Sequence, residues 1–368
     1  MNIKHKKISY IAEINLKSKS AYKHQVLKMC DAFSQKNFKV KLFIINSNKM
    51  RFSEIKKNHL LKSNFKIIEI YNSINHLNFL TRLLFSFKIF FKIKNKSEVI
   101  FSRSVLTSIL LSIFGVTNIL EIHQPNSGFT KLIFNFFKKR ILKNTKFIFI
   151  NRNLNKFFSF KKKNFVIADD GVDIEDFKPK QKITYKNSCV YIGSLFKGKG
   201  IDIILKIAKR LNNFNFYIYG DLKTANKEII NDCLIFKNIK LLGHVPYSKV
   251  PKILKSHKII IMPYSKIVFG NHKNTNIGSY MSPLKLFDYM AAGRIVIASK
   301  NQSYAHILND NVNSILCNSS NLNMWVKVFN NIAQKKINFK KLKQNSLKTA
   351  KIYSWNSRIE KILRFIEK

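Results

Sequence analysis

The sequence predicts an α/β protein in two halves, each a parallel sheet covered by helices. Three observations lead there. Strand-like and helix-like segments alternate along nearly the whole chain. The 368 residues exceed what one hydrophobic core ordinarily holds. The alternation loosens once, over 161–186, where a KKK run, DDGVD and Pro179 sit among polar residues, and then restarts. Hydrophobic residues are 46% of the chain, enough for sizeable interiors, so disorder does not dominate.

Taken in order, residues 7–11 read as a first strand. Residues 21–35 carry Val26, Leu27, Cys30 and Phe33 at helical spacing, and 39–45 read as the next strand. Further strands are predicted at 99–101, 118–122 and 147–150. The most apolar stretch, 104–120, is interrupted by Ser, Thr, Gly and Asn and reads as a buried helix rather than a membrane span. Beyond the loose segment, strands are expected at 189–192, 214–219, 239–242 and 258–262, with helices at 201–211 and 249–256. No short-period repeat is visible, which excludes a solenoid.

There are 67 Lys+Arg against 19 Asp+Glu, a formal net charge of +48. Such a chain is drawn to polyanions: nucleic acid, nucleotide phosphates or an anionic bilayer. Lys, Asn, Ile and Phe are abundant together, the pattern of an AT-rich genome, so most of the excess reads as solvated surface. Cys30, Cys189, Cys233 and Cys317 form no CxxC pair, which argues against a zinc site or a disulfide framework and fits a reducing compartment. The basic N-terminal stretch lacks a signal-peptide core, so a cytoplasmic location is expected.

Two segments carry recognisable chemistry. In YIGSLFKGKGID, 191–202, a strand ends at Gly193, and a turn containing Ser194, Lys197, Gly198, Lys199 and Gly200 leads into a helix. Small residues let backbone N–H groups approach a phosphate, and a helix N-terminus favours negative charge. The segment reads equally as a diphosphate site or as an ordinary turn with surface lysines. In SYMSPLKLFDYMAAGRIVIAS, 279–299, Pro283 suits the first turn of a helix with Ser282 as its N-cap. Backbone donors at Ser282 to Leu284 would face a phosphate, and Asp288 a ribose; Lys285 and Asp288 also fit a local salt bridge. A third segment, LEIHQP, puts His123 at a strand end, where ligands bind in parallel sheets, although a lone His is more often structural.

Together, LEIHQP, ADDGVDIEDFKP, YIGSLFKGKGID, NIKLLGHVPYSKV, IIIMPYS, SPLKLFDYMAAGRIVIAS and YSWNSRIEKIL resemble, in order and spacing, the large group-1 (family 4) glycosyltransferases. The resemblance runs from about Lys7 to the C-terminus, densest in the second half, and reads 17–31 as the first loop and helix of the donor side. It implies the GT-B fold, two Rossmann-like domains facing a central cleft. The expected organisation is an acceptor-side domain over 1–168, a linker over 169–186, a nucleotide-sugar-binding domain over 187–350 and a helix over 351–368 crossing back to the first domain. It further implies metal-independent transfer with retention of anomeric configuration, in keeping with the lack of a DxD motif, so no metal or other cofactor is expected besides the nucleotide-sugar co-substrate.

By the same resemblance Lys199 takes the phosphate-binding position, and Val245, after Gly243 and His244, meets the nucleotide base. Asp288 holds the ribose and His123 lies near the sugar as the catalytic candidate. The chain also departs from the pattern. Ser194 replaces the family's phosphate-binding arginine, with Lys197 nearby to substitute its charge; Tyr280 replaces the first glutamate, and the acidic residue after the next strand is replaced near His306. The loss at Tyr280 leaves the sugar open.

Residues 77–96, led by His76, place Leu80, Leu84, Phe87 and Phe91 on one side of a helix and Thr81, Lys88, Lys92 and Asn95 on the other. Residues 129–144 are likewise basic and aromatic. Such helices lie on anionic membranes, but the preferred expectation is that their apolar sides cover the first sheet, with surface docking through the lysines compatible with it. A lipid-linked or lipopolysaccharide-type acceptor then becomes the natural substrate.

The leading expectation is a sugar transferase of cell-envelope polysaccharide or lipopolysaccharide synthesis, its partners a nucleotide sugar, a glycan or lipid-linked acceptor and an anionic membrane surface. A nucleotide-sugar epimerase or phosphorylase on the same fold, and a degenerate transferase that binds without turnover, are the alternatives among relatives. A nucleic-acid-binding protein is the non-enzyme alternative. Dispersed lysines and the lack of a recognition motif argue against a specific nucleic-acid partner.

Overall fold

Runs of Ile, Val and Phe pair as buried strands, and longer segments with apolar residues three and four apart cover them. The computed structural model describes residues 6–46, 49–71, 78–93, 98–178, 180–270 and 275–367. Residues 1–5 of the basic N-terminus, His76, Leu77 and residues 94–96 of the predicted basic helix, and Pro179 of the predicted linker lie outside them. The chain divides into a first unit, Met1–Asp170 with Trp355–Lys368, and a second, Gly171–Ser354.

The first unit runs β1 (Lys7–Ile11), α1 (Ala21–Gln35), β2 (Lys39–Ile44), α2 (Phe52–His59), β3 (Lys66–Glu69), α3 (Phe79–Ile93) and β4 (Val99–Ser102). It continues with α4 (Val105–Ile113), β5 (Asn118–Ile122), α5 (Gly128–Phe136), α6 (Lys138–Asn144), β6 (Thr145–Phe149) and β7 (Phe165–Ile167). Its seven strands are parallel in the order β3-β2-β1-β4-β5-β6-β7.

The second unit runs β8 (Tyr185–Ile192), α7 (Ile201–Ala208), β9 (Asn215–Tyr219), α8 (Lys227–Ile235), β10 (Ile239–Leu241), α9 (Val250–Ser256) and β11 (His257–Met262). Then follow α10 (Leu284–Ala291), β12 (Ile295–Ser299), β13 (Ile315–Cys317), α11 (Leu322–Ala333) and α12 (Phe339–Ile352). Its six strands are parallel in the order β10-β9-β8-β11-β12-β13. Strand alternation splits its core. Cys189, Ile259, Ile261, Ile295 and Ile297 join one buried cluster with Trp325 and Phe329; Val190, Ile260, Met262 and Val296 join another with Phe287 and Tyr289. The last helix, α13 (Trp355–Glu367), belongs to the first unit and packs on α1.

Several expectations are corrected. The segment 104–120 is not one helix: Ser104 Oγ accepts from Thr107 N at 3.2 Å to cap α4, which stops at Ile113 because Gly115 turns the chain into β5. The loose segment 161–186 contributes β7 to the first sheet and the start of β8 to the second. Along α3 the apolar stripe faces the other way. Phe85, Ile89, Phe90 and Ile93 are buried, whereas Leu80, Leu84, Phe87 and Phe91 are exposed. Among the described residues no helix is long and apolar enough to cross a membrane.

Candidate functional site

In the second unit the strand order reverses between β8 and β11, and the chain leaving the C-terminal ends of such strands is where ligands bind in open α/β sheets. The glycine–lysine turn leaves β8 at this point. Gly198 and Gly200 take φ of +83° and +86°. A side chain at Gly200 would overlap the Pro263 carbonyl, and one at Gly198 the Ile267 carbonyl. Only glycine therefore lets the turn lie against the segment after β11. Ser265 N donates to Gly198 O at 3.0 Å and Phe269 N to Lys197 O at 3.2 Å, fastening the two together. Gly200 is the N-cap of α7.

The turn separates its two lysines. Lys197 is exposed, while Lys199 is only 7% exposed, its ammonium 4.8 Å from the centre of the Tyr264 ring. Burial pushes Lys199 down to about 8. Lys285, on the first turn of α10, carries its Nζ to the face of Tyr191 at 3.7 Å and to 5.4 Å from the same Tyr264 ring. That nitrogen is buried without a hydrogen-bond partner, and a side chain at Gly193 would overlap it. Burial first, and then the charge of Lys199, hold Lys285 well below the ordinary lysine range. Two lysine side-chain nitrogens thus share one aromatic-lined spot, and among the described residues neither has a carboxylate partner. The first turn of α10 adds backbone donors beside them.

The other predicted donor residues lie in the same unit. Ser194 is half-buried, and its carbonyl accepts from Tyr191 Oη at 2.6 Å. Tyr289 Oη accepts from Ile192 N at 2.9 Å and donates to Ile192 O at 3.0 Å, pinning the end of β8 to α10. Val245 is half-buried against the cluster that contains Phe287 and Tyr289. Asp288 does not pair with Lys285: its Oδ1 accepts from Tyr247 Oη at 2.9 Å. Ser282 is not the cap of α10; Pro283 holds that position and Leu284 is the first helical residue, since the fixed proline φ pre-sets the entry without a side-chain acceptor. Tyr280 is buried and His306 half-buried.

His123 belongs to the first unit, just past β5. Its Nε2 bonds to Glu121 Oε1, which also accepts from Gln25 Nε2 at 2.7 Å. Glu121 Oε2 accepts from Arg358 Nη1 at 3.2 Å, and the same guanidinium donates to the carbonyls of Ala168 and Asp169. Arg103 lies 3.9 Å from Glu121, with its guanidinium over the Tyr22 ring. Burial alone would raise the Glu121 carboxyl; Arg358, then the hydrogen bond from His123, then Arg103 outweigh it and hold the group ionised, below the usual carboxylate range. His123 is pushed down to about 4, by burial first and then by Arg103, with Glu121 opposing. An ionised carboxylate only accepts, so the neutral imidazole carries its proton on Nε2. The Nε2–H is thus directed at Glu121, and Nδ1 is the ring nitrogen that could accept from a ligand.

Sequence reading missed Glu121, Gln25, Arg103, Arg358, Tyr191 and Tyr264. A carboxylate inside the apolar strand NILEI was the one local signal for Glu121. Nothing local marks Arg358 as its partner.

Solved structures resemble the whole chain at low identity. A glycosyltransferase from Rickettsia africae ESF-5 is 14% identical, with 98% of each chain covered and a TM-score of 0.73. HepE of Anabaena, in complex with UDP and glucose, is 12% identical over 98% of this chain and 99% of that one, TM-score 0.73. A variant of S. aureus TarM, in complex with fondaparinux, alpha-GlcNAc-glycerol and UDP, is 14% identical over 98% and 100%, TM-score 0.72. No curated protein matches the chain significantly. Residues 173–349 match the family model "Glycosyl transferases group 1". The chain thus has two parallel-sheet α/β units of the GT-B fold, and most of its second unit is a domain of the group 1 glycosyl transferase family.

Proposed function

We propose that the chain moves a sugar from a nucleotide-sugar donor to a glycan or lipid-linked acceptor, with retention, in cell-envelope polysaccharide or lipopolysaccharide synthesis. The observation that carries the donor assignment is the pair Lys199 and Lys285, two buried lysine nitrogens side by side without a carboxylate between them, which an anionic ligand would hold protonated. A buried cation is costly unless something anionic completes its surroundings, and a diphosphate supplies two charges in the space of two lysines. UDP in the HepE and TarM complexes supports a uridine nucleotide as the first carrier to try.

In this reading the lysines, with the backbone donors that begin α7 and α10, stabilise charge developing on the leaving diphosphate as the glycosidic bond breaks. Positive charge comes from the protein, so transfer proceeds without a metal ion. Asp288, positioned by Tyr247, accepts from the ribose hydroxyls, and Val245 meets the base. His123, oriented by Glu121, acts on the sugar side. The backbone donors at Ser282 to Leu284, which face the phosphate, are unaffected by Tyr280 standing in place of a glutamate.

Thermal unfolding with UDP-, GDP-, ADP- and CMP-sugars, each with and without EDTA, tests the reading. One nucleotide class is expected to raise the midpoint with or without chelator, and Lys199→Ala to abolish the shift. An equal shift in Lys199→Ala, or a shift lost to EDTA, contradicts it.

A further inference from the structure

The exposed stripe of α3 is a surface the donor site does not use. Leu80 is 60% exposed and Phe91 66%; on α5, Leu132 is 63% exposed and Phe136 83%. Phe79 and Phe129, edge to face with ring centres 5.2 Å apart, join the two helices. Between them α4 is buried over Leu106 to Ser112 and fills the space beneath. Contiguous exposed apolar area of this kind is uncommon on a protein that stays in water.

Charge says what covers it. Lys88, Lys92, Lys131, Lys139, Arg140 and Lys143 are exposed on α3, α5 and α6, and those helices contain no acidic residue. From Phe79 to Asn144 the only carboxylates are Glu98 and Glu121, whose side chains are 7% and 0% exposed. A second copy of this face would bring lysines against lysines. A nucleic acid would match the charge and leave the phenylalanines wet. An anionic bilayer surface offers phosphates at the level of the lysines and hydrocarbon just below, at the depth aromatic and leucine side chains reach.

We infer that the outer face of α3 and α5 docks the first unit on an anionic phospholipid bilayer. The docking goes beyond the transfer reading and does not depend on it. Leu80, Phe91, Leu132 and Phe136 enter the interface, and the lysines around them bind lipid phosphates.

The test uses the full chain and co-sedimentation with vesicles of phosphatidylcholine alone or mixed with phosphatidylglycerol. Partition into the mixed vesicles is expected, weakened by salt but not abolished, because the apolar contribution is unscreened. Phe91→Ser combined with Phe136→Ser is expected to lower the partition more than about tenfold. Lys92→Glu with Lys139→Glu is expected to remove the preference for anionic lipid. Both side-chain pairs lie outside the core, so thermal unfolding and any nucleotide-sugar shift stay unchanged, which separates this test from that of the donor site. Equal partition into neutral vesicles, or full binding by the phenylalanine variant, overturns the inference. So does a dimer in light scattering that the phenylalanine variant dissolves, which would place a second copy on the face.

Discussion

Lys285 holds its side-chain nitrogen on the Tyr191 ring, out of water, where burial and the nearby Lys199 disfavour its charge. The ligand-free protein is less stable for it, since an unpartnered buried polar group costs about 1–3 kcal/mol. Lys285→Met keeps the aliphatic stem and removes the charge. It is expected to raise the thermal midpoint of the free protein and to weaken nucleotide-sugar binding more than about tenfold, a factor that corresponds to about 1.4 kcal/mol. Calorimetric titration beside a melting curve checks both signs at once. A lower midpoint in the free variant would mean that the Lys285 nitrogen contributes to stability and is not an unpartnered cost. Glu121 is the opposite case, a buried charge with Arg358, Gln25 and His123 all directed at it.

The turn from β8 to α7 works as a unit because its backbone fits where no side chain does. Gly200 combines a left-handed φ of +86° with a carbonyl, that of Pro263, in the space a methyl group would need. Gly200→Ala therefore costs about 1–3 kcal/mol and moves the start of α7, together with Lys199, away from the segment after β11. Urea unfolding should show the loss, and nucleotide-sugar affinity should fall with it; parent-like values for both would show that the turn repacks freely. Helix α3 teaches a related lesson. With ten of the fifteen residues of FLTRLLFSFKIFFKI apolar, periodicity offers two hydrophobic faces, and the choice between them falls to the neighbours. Helix α4 and the sheet take Phe85, Ile89 and Ile93.

Acid should loosen the protein through imidazoles that desolvation keeps neutral. His59 is pushed down to about 3, and His123 and His257 to about 4, burial being the largest cause for each. A histidine depressed in the folded state is neutral in both states above pH 6.5. Below that the unfolded chain takes up protons first, so stability is full above about 6.5 and is lost as pH falls toward 4. For His257, fully buried with Nδ1 on Ser188 Oγ at 2.8 Å, the loss at pH 5 is about 2 kcal/mol. Chemical denaturation at pH 7.5 and at pH 5 is expected to show a steep decline, made shallower by His257→Phe. An identical slope in that variant would remove His257 from the account.

Much of this was legible along the chain. The alternation of strands and helices, the glycine–lysine turn and the proline that starts α10 are short-range features, written by backbone conformation and by the spacing of apolar side chains. The family's order of motifs rests on the same features. Legibility ended where partners are distant in sequence. Glu121 meets Arg358 across 237 residues, and Lys285 reaches the ring of Tyr191 only because β8 and α10 are packed together. The chain order of residues says which helices are amphipathic, which turns need glycine and which family the motifs resemble. Tertiary structure alone decides which side of α3 is dry, which lysines lose their water and which carboxylate holds His123. The reason is physical: burial and pairing depend on strand order and on neighbouring elements, and those are set by the packing of the whole sheet.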